Sequence, residues 1–253
     1  IDTGTPAKFY QEYMNQAKSP EDQIFTEEDI NEGLYKGRTK FDSSCDSWYI
    51  DFSDGSKEYV NIYVGVDPAS TLGLRNDFSV IMVVGVTGEY DFYVIEYWRE
   101  KVLPMDCADK IFEITERYRP IKRINIETIA YQEMLRDYVQ KRSKKEGKFL
   151  PGIQQGIKNY GNIKKKDRLW EGLQPMFKAG AVHIRKTMHE FIGELLDFPK
   201  GSHDDCIDAF WLACQYAKGN PKAGKEKKVK NKTTGEWEAK RKKIYNWITG
   251  ARV

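Results

Sequence analysis

Strand-forming residues dominate the run Val60-Asn61-Ile62-Tyr63-Val64-Gly65-Val66-Asp67-Pro68. The residues before Asp67 are mostly β-branched and apolar, which is typical of a central strand buried on both faces. Pro68 has no backbone N–H and ends the hydrogen-bond ladder, so Asp67 is expected at the end of the strand with its side chain available. Taken alone, an acid before a proline is also an ordinary turn residue.

The sequence after this run predicts a mixed α/β domain. Two further strand-like runs, 78–86 and 90–98, are joined by Thr87-Gly88-Glu89, which predicts a hairpin and an antiparallel meander of three strands. Further strands are predicted at 121–127, 149–153 and 181–184, and helices at 106–118, 131–145, 164–179, 188–196 and 201–218. The order predicts a central sheet flanked by helices.

The flanking segments differ in composition from this core. Residues 1–58 hold a short amphipathic segment and two helix-capping signals, which predict an N-terminal arm or linker that packs on the core and binds nothing. The core then covers residues 59–218, and residues 219–253 form a basic C-terminal tail. That tail has few apolar residues before 244–248 and is expected to be loosely attached.

Charge, cysteine spacing and hydropathy indicate the class of protein and its compartment. A net charge of +3 over 253 residues does not by itself require nucleic acid. The four cysteines show neither CxxC nor zinc-ligand spacing, so reduced thiols of an intracellular protein are expected. We find no run of transmembrane length and no signal peptide, and the absence of an initial Met suggests a fragment of a longer chain.

Acidic residues recur at the C-terminal ends of predicted strands, which is where open α/β sheets bind ligands. Glu127 ends the predicted strand 121–127, as Asp67 ends the first one. In the run 201–210, Asp208 is an i+3 neighbour of Asp205 and an i+4 neighbour of Asp204, so these acids share a helix face. An ordinary helix start, with an N-cap and acids in the first turn, also accounts for this run.

These acids would indicate a metal site if the fold brings them together. Should the strands that end in Asp67 and Glu127 be neighbours, both carboxylates emerge at one sheet edge, and the helix that begins near Asp204 adds a third acid. Such an oxygen-rich set suits Mg²⁺ or Mn²⁺ rather than zinc. Two ions ~4 Å apart clamp the attacking and leaving oxygens of a phosphodiester displacement.

A basic segment predicts contact with a polyanion. Lysines crowd the loop and helix start around Gly161, where positive charge opposes the helix dipole unless phosphate or another anion compensates it. A solvated surface is the alternative. The residues concerned are Lys158, Lys164, Lys165, Lys166 and Arg168.

Several motifs, taken in order, resemble the C-terminal nuclease domain of the large terminase subunit of tailed bacteriophages, within the resolvase-like branch of the RNase H-like superfamily. The resemblance covers residues 7 to about 217. The matching pieces are 9–16, Gly65-Val66-Asp67-Pro68-Ala69, Ile126-Glu127-Thr128, Lys166-Asp167-Arg168-Leu169, 173–182 and His203-Asp204-Asp205-Cys206-Ile207-Asp208-Ala209.

The resemblance implies an RNase H-like mixed sheet, an antiparallel meander followed by parallel strands, with the active site at one edge. It implies a two-metal endonuclease that cuts double-stranded DNA with little sequence specificity during viral genome packaging in the host cytoplasm. Asp67 and Glu127 match the first two metal-binding acids, and Asp205 is the first choice for the third, followed by Asp204 and then Asp208. His203 would orient water or a phosphate, or would simply be a solvated helix-start histidine.

The resemblance also bears on partners. In the full-length protein the portal ring and the small terminase subunit are expected partners, and the basic tail would contact either DNA or the portal. The ATPase half of the family is missing, because no G-x-x-x-x-G-K-[ST] motif is present, so this fragment should not bind ATP.

Two other function classes remain open at this point. A catalytically silent nucleic-acid-binding or scaffold module on the same fold would keep the basic loops without an acid cluster. A small-molecule phosphatase or kinase ranks last, since no Gly-rich phosphate loop is present.

Overall fold

An eight-stranded mixed sheet forms the centre of the molecule. The computed structural model describes residues 23–69, 78–127, 130–147, 153–155 and 165–219. Its strands are β1 (Arg38–Asp42), β2 (Ser47–Asp51), β3 (Lys57–Asp67), β4 (Ser79–Val86), β5 (Phe92–Glu100), β6 (Ile121–Ile126), β7 (Ile153–Gln155) and β8 (Val182–His183). Its helices are α1 (Glu27–Glu32), α2 (Pro104–Arg117), α3 (Ala130–Glu146), α4 (Lys165–Lys178), α5 (His189–Asp197) and α6 (Asp205–Cys214). Within these ranges no helix has both the length and the apolar character needed to span a bilayer.

The strand order is β1-β2-β3-β4-β5-β8, with β6 beside β3 and β7 beside β6. Strands β1 to β5 pair antiparallel, whereas β6 pairs with β3, β7 with β6 and β8 with β5 in parallel. The predicted antiparallel meander of β3, β4 and β5 is therefore confirmed, as is the parallel continuation. Residues 149–152 of the strand predicted at 149–153 lie outside the described residues, and a strand is observed at 153–155. The last helix is shorter than predicted.

Strands β1 and β2 were not predicted. They belong to the segment assigned to the N-terminal arm, so the sheet begins before residue 59; residues 1–22 of that arm lie outside the described residues. Both strands are only five residues long, and β1 is largely exposed, so neither carries the apolar run of β3. Pairing with the first residues of β3 holds β2 in place, and this is not a local property of its sequence.

Two apolar layers cover the two faces of the sheet. Ile62, Val64 and Val66 of β3 join a layer that includes α2, whereas Tyr63 joins the layer built around α6. This alternation is the period of two expected along a strand. It places Gly65 and Asp67 on the face that α6 covers.

Helix α6 packs on β3 at backbone distance. A Cβ atom on Gly65 would lie 1.9 Å from the carbonyl oxygen of Ala209 and 2.5 Å from the nitrogen of Ala213, both in the α6 backbone. Only a residue without a side chain permits this approach. The glycine in the apolar run of β3 therefore sets the distance between the sheet and α6.

Candidate active site

Asp67 and Glu127 end neighbouring strands. Val66 of β3 pairs with Ile126 of β6 in parallel, and the Glu127 backbone N–H donates to the Val66 carbonyl at 3.0 Å. Each acid follows directly on these paired residues, so both lie at the same sheet edge. The condition on which the convergence of these two acids depends, that their strands are neighbours, is met.

Both acids lie on the face that α6 covers. Asp67 is two residues beyond Gly65, which contacts α6. Glu127 is two residues beyond Asn125, whose side-chain amide donates to the α6 carbonyl of Leu212 at 2.7 Å. Since residues two apart on a strand share a face, the two carboxylates are on the same side of the sheet. Asp67 is buried and Glu127 is half-buried.

The direction of α6 brings its first turn to the same edge. Beyond its C-terminal end, the Lys218 carbonyl accepts from the Tyr63 hydroxyl at 3.0 Å, near the middle of β3. Its residue Ala209 lies over Gly65, closer to the end of the strand. From Ala209 back to Asp205 the helix covers about 6 Å, and from Gly65 to Asp67 the strand covers about 7 Å. Asp205 therefore lies level with Asp67.

The acids of this turn have different surroundings. Asp204 takes the N-cap position of α6 but makes no side-chain capping hydrogen bond. The Asp205 carboxylate lies 3.5 Å from His203 Nδ1 and has an exposed fraction of 18%. Asp208 is only 2% exposed. Asp204 therefore does not cap α6 through its side chain, whereas Asp205 and Asp208 lie in the first turn, where the helix dipole also favours acids.

The cap of α6 comes instead from a residue that sequence reasoning missed. Glu194 of α5 accepts a hydrogen bond from the Cys206 backbone N–H at 2.7 Å, through Oε2. Its other oxygen, Oε1, lies 3.2 Å from Nε of Arg99. Glu194 is the single acid within the apolar and buried run Phe191-Ile192-Gly193-Glu194-Leu195-Leu196. An acid in such a run is the sequence feature that could have indicated a buried polar role.

Burial raises the pKa of Glu194 from its usual 4.5 to about 6. The nearby Asp205 carboxylate acts in the same direction, while the Cys206 N–H and Arg99 oppose it. Because the folded state favours the protonated acid, the stabilisation from this group is full below pH 4.5 and is lost as the pH rises through about 6.

We expect Glu194→Gln to remove this pH dependence. Between pH 4.5 and neutral pH the parent should lose about 2 kcal/mol of unfolding free energy that the variant does not lose. Chemical denaturation of the metal-free protein across this pH range measures the difference. Glu190→Gln on the same helix is the matched control: hydrogen bonding from Tyr97 lowers the pKa of Glu190, so its contribution has the opposite sign. Parallel pH curves for the parent and Glu194→Gln would contradict the expectation.

The donor chemistry at this edge fits a hard divalent cation. The converging groups offer carboxylate oxygens, which are the ligands preferred by Mg²⁺ and Mn²⁺. Across the described ranges, no three His, Cys, Asp or Glu side chains are grouped closely enough to hold a metal ion. Like charges repel without a cation between them, so binding would require these side chains to draw together. The ligand roles of Asp67, Glu127, Asp205, Asp204 and Asp208 remain predictions.

The predicted DNA-binding residues lie almost entirely beyond what the structure describes. Lys158 and Lys164 fall outside the described residues. Lys165, Lys166 and Arg168 belong to the first turn of α4 by their backbone, but their side chains are also outside the described part. The basic tail from residue 220 onward is outside it as well. Their role in DNA binding stays a prediction.

Comparison with known proteins places this architecture in a family. The family model described as "Terminase RNaseH-like domain" matches residues 64–216, more than half of the chain. No curated protein sequence matches the chain significantly.

Three solved structures are similar at low sequence identity. The large terminase nuclease of the thermophilic phage G20c is 14% identical, with 76% of this chain and 96% of that chain covered and a TM-score of 0.48. The P22 large terminase nuclease domain is 12% identical, with 89% and 91% covered and a TM-score of 0.42. T. thermophilus RuvC in complex with a Holliday junction substrate is 16% identical, with 60% and 90% covered and a TM-score of 0.35. With the family model extending from β3 to just beyond α6, the chain belongs to the family of terminase RNase H-like domains.

Proposed function

We propose that this chain is a nuclease that cuts double-stranded DNA with little sequence preference, using two divalent metal ions, Mg²⁺ or Mn²⁺. The observation that supports the proposal best is the placement of Asp67, Glu127 and the first turn of α6 at one edge and on one face of the sheet. Family membership supports a nuclease of the RNase H-like fold.

Asp67, Glu127 and Asp205 would hold the metal, with Asp204 next in order and then Asp208. When bound, the ions supply charge stabilisation for an in-line displacement at phosphorus. The chain itself would contribute carboxylates carried by β3, β6 and α6, elements that are held together by the β3–β6 pairing and by the hydrogen bond from the Asn125 amide to the Leu212 carbonyl. His203, whose Nδ1 lies 3.5 Å from Asp205, would orient a phosphate or a water molecule.

The biological setting is also part of the proposal. We infer that the chain acts as the nuclease domain of a large terminase subunit during viral genome packaging in the host cytoplasm. Its partners there would be the DNA, the portal ring and the small terminase subunit. The motif needed for a phosphate-binding loop is absent from the sequence, so ATP is not expected to bind this fragment.

We expect the purified chain to nick and linearise supercoiled plasmid when Mg²⁺ or Mn²⁺ is present, and to be inactive in excess EDTA, because the carboxylates alone cannot neutralise the reacting phosphate. Agarose gels of plasmids with unrelated sequences measure the activity and its sequence preference. Full activity in EDTA would reject metal dependence. DNA binding without cleavage under any metal would instead favour the catalytically silent module.

A further inference from the structure

A cationic and aromatic group of side chains lies beside the proposed acids. We call it the Phe78 cluster, and it comprises Phe78, Arg99, Lys101 and His203. The guanidinium carbon of Arg99 lies 3.4 Å from the centroid of the Phe78 ring, and Nζ of Lys101 lies 4.8 Å from it. The His203 ring packs edge-on against Phe78 at 5.3 Å between centroids. Contact with the ring face holds both cations in place.

The sheet register places this cluster at the edge where the acids emerge. Asp67 of β3 pairs with Val80 of β4, and Val80 pairs with Arg99 of β5. Arg99 is thus two strands away from Asp67, about 10 Å at the usual strand spacing. Lys101 lies just past the end of β5.

The cluster is also on the face of the acids. Tyr97 of β5 packs against the apolar layer that includes α6. Residues two apart on a strand share a face, so Arg99 points to that side. Its contact with Glu194 of α5 agrees with this. Since Lys101 shares the Phe78 ring with Arg99, its ammonium group is on the same side as Asp67 and Glu127.

The two cations differ in how their charge is compensated. The side chain of Arg99 is only 14% exposed and faces the Glu194 carboxylate. Lys101 is exposed, and in the part of the chain that the structure describes it forms no ion pair. The cluster therefore presents one ammonium group to solvent next to a row of acids. Because the acids repel an anion, the ammonium group is the contact that this arrangement offers to a phosphate beside the reacting one.

We propose that Lys101 is a phosphate-contacting residue that anchors the DNA backbone beside the acids. The proposal rests on the proposed function and adds a binding residue outside the predicted basic loop. Arg99 is about 10 Å from Asp67 and Lys101 lies two residues beyond Arg99, so the contacted phosphate flanks the reacting one. The aromatic ring limits the freedom of the lysine, which lowers the entropy lost on binding.

The test compares Lys101→Ala with Lys57→Ala. Lys57 is the matched control, because its Nζ lies 4.7 Å from the centroid of the Tyr49 ring and it is also exposed. It lies at the start of β3, about 33 Å along the strand from Asp67. Binding of a short duplex is measured by fluorescence anisotropy over a series of salt concentrations, with EDTA present so that no cleavage occurs.

Loss of one phosphate contact lowers the slope of log affinity against log salt concentration by about 0.9. When the salt concentration falls from 1 M to 0.1 M, the affinity of the variant should therefore rise about eightfold less than that of the parent. We expect this of Lys101→Ala, near-parent affinity for Lys101→Arg, and no change for Lys57→Ala. Equal affinity and slope for both alanine variants would overturn the inference. Because EDTA separates binding from cleavage, a parent that binds but never cuts would reject the nuclease proposal and leave the Lys101 contact standing.

Discussion

Asp67→Asn is expected to lower the rate of DNA cleavage at least about a thousandfold while the protein stays folded. Metal ions at such a site supply several kcal/mol of transition-state charge stabilisation, and about 4 kcal/mol corresponds to this factor. Glu127→Gln and Asp205→Asn should behave in the same way. Their thermal midpoints without metal should equal or exceed that of the parent, since neutralising one of several carboxylates at the same sheet edge lowers their mutual repulsion.

The matched control for these variants is Glu100→Gln. Glu100 ends β5 at the same sheet edge and is exposed. It lies two residues beyond Trp98, which packs against the layer that includes α2, so alternation places it on the opposite face. We expect unchanged cleavage for this variant.

Single-turnover nicking measures the cleavage rates. Thermal unfolding with and without Mn²⁺ measures how much the metal stabilises each protein, and we expect Mn²⁺ to stabilise the acid variants less than the parent. An Asp205→Asn protein that melts lower and still cuts would make Asp205 a structural residue of α6. The third acid would then be sought at Asp204 or Asp208.

Gly65→Ala is expected to destabilise the fold by at least about 3 kcal/mol, at or above the upper end of usual overpacking costs. The new methyl group would lie 1.9 Å from a backbone oxygen of α6, and backbone cannot rotate away as a side chain can. For a domain of this size the thermal midpoint should fall by about 10 °C. Cleavage should also fall, because α6 carries Asp205 and would be pushed away from Asp67.

Gly147→Ala separates this close approach from a general glycine effect. Gly147 follows α3 with a φ of 63°, and a Cβ there would meet no atom within 4 Å. Its replacement costs only the left-handed backbone strain, about 1 kcal/mol. Circular dichroism melts of both variants measure the difference, and equal losses of stability would contradict the role assigned to Gly65.

Sequence reasoning succeeded where the signal was local. The β-branched run of β3 and the Gly-containing turn after β4 predict their strands from neighbouring residues alone. Acids at the ends of two strands were predicted from the sequence, but whether those strands are neighbours was left open and is decided by the register of β3 and β6.

The misses involve partners that are distant in sequence. Glu194 caps a helix to which it does not belong and pairs with Arg99 from β5. The helix predicted at 201–218 spans only 205–214: its capping group comes from α5, and after its end Gln215 is extended and Tyr216 has a φ of 58°. No periodicity in the residues 201–218 encodes either fact. The roles of the predicted acids and lysines await the experiments above.

The anchoring of α6 has a mechanical consequence. Beyond Leu212 the chain is tied to the sheet by the amide of Asn125 and the hydroxyl of Tyr63 through backbone carbonyls. At the acidic end, the Cys206 N–H is held by one carboxylate. Between these ends Ala209 rests directly on Gly65, so the helix is held along its whole length of about 15 Å. A force on the acidic turn would therefore be carried to β3 and β6 rather than unwinding that turn.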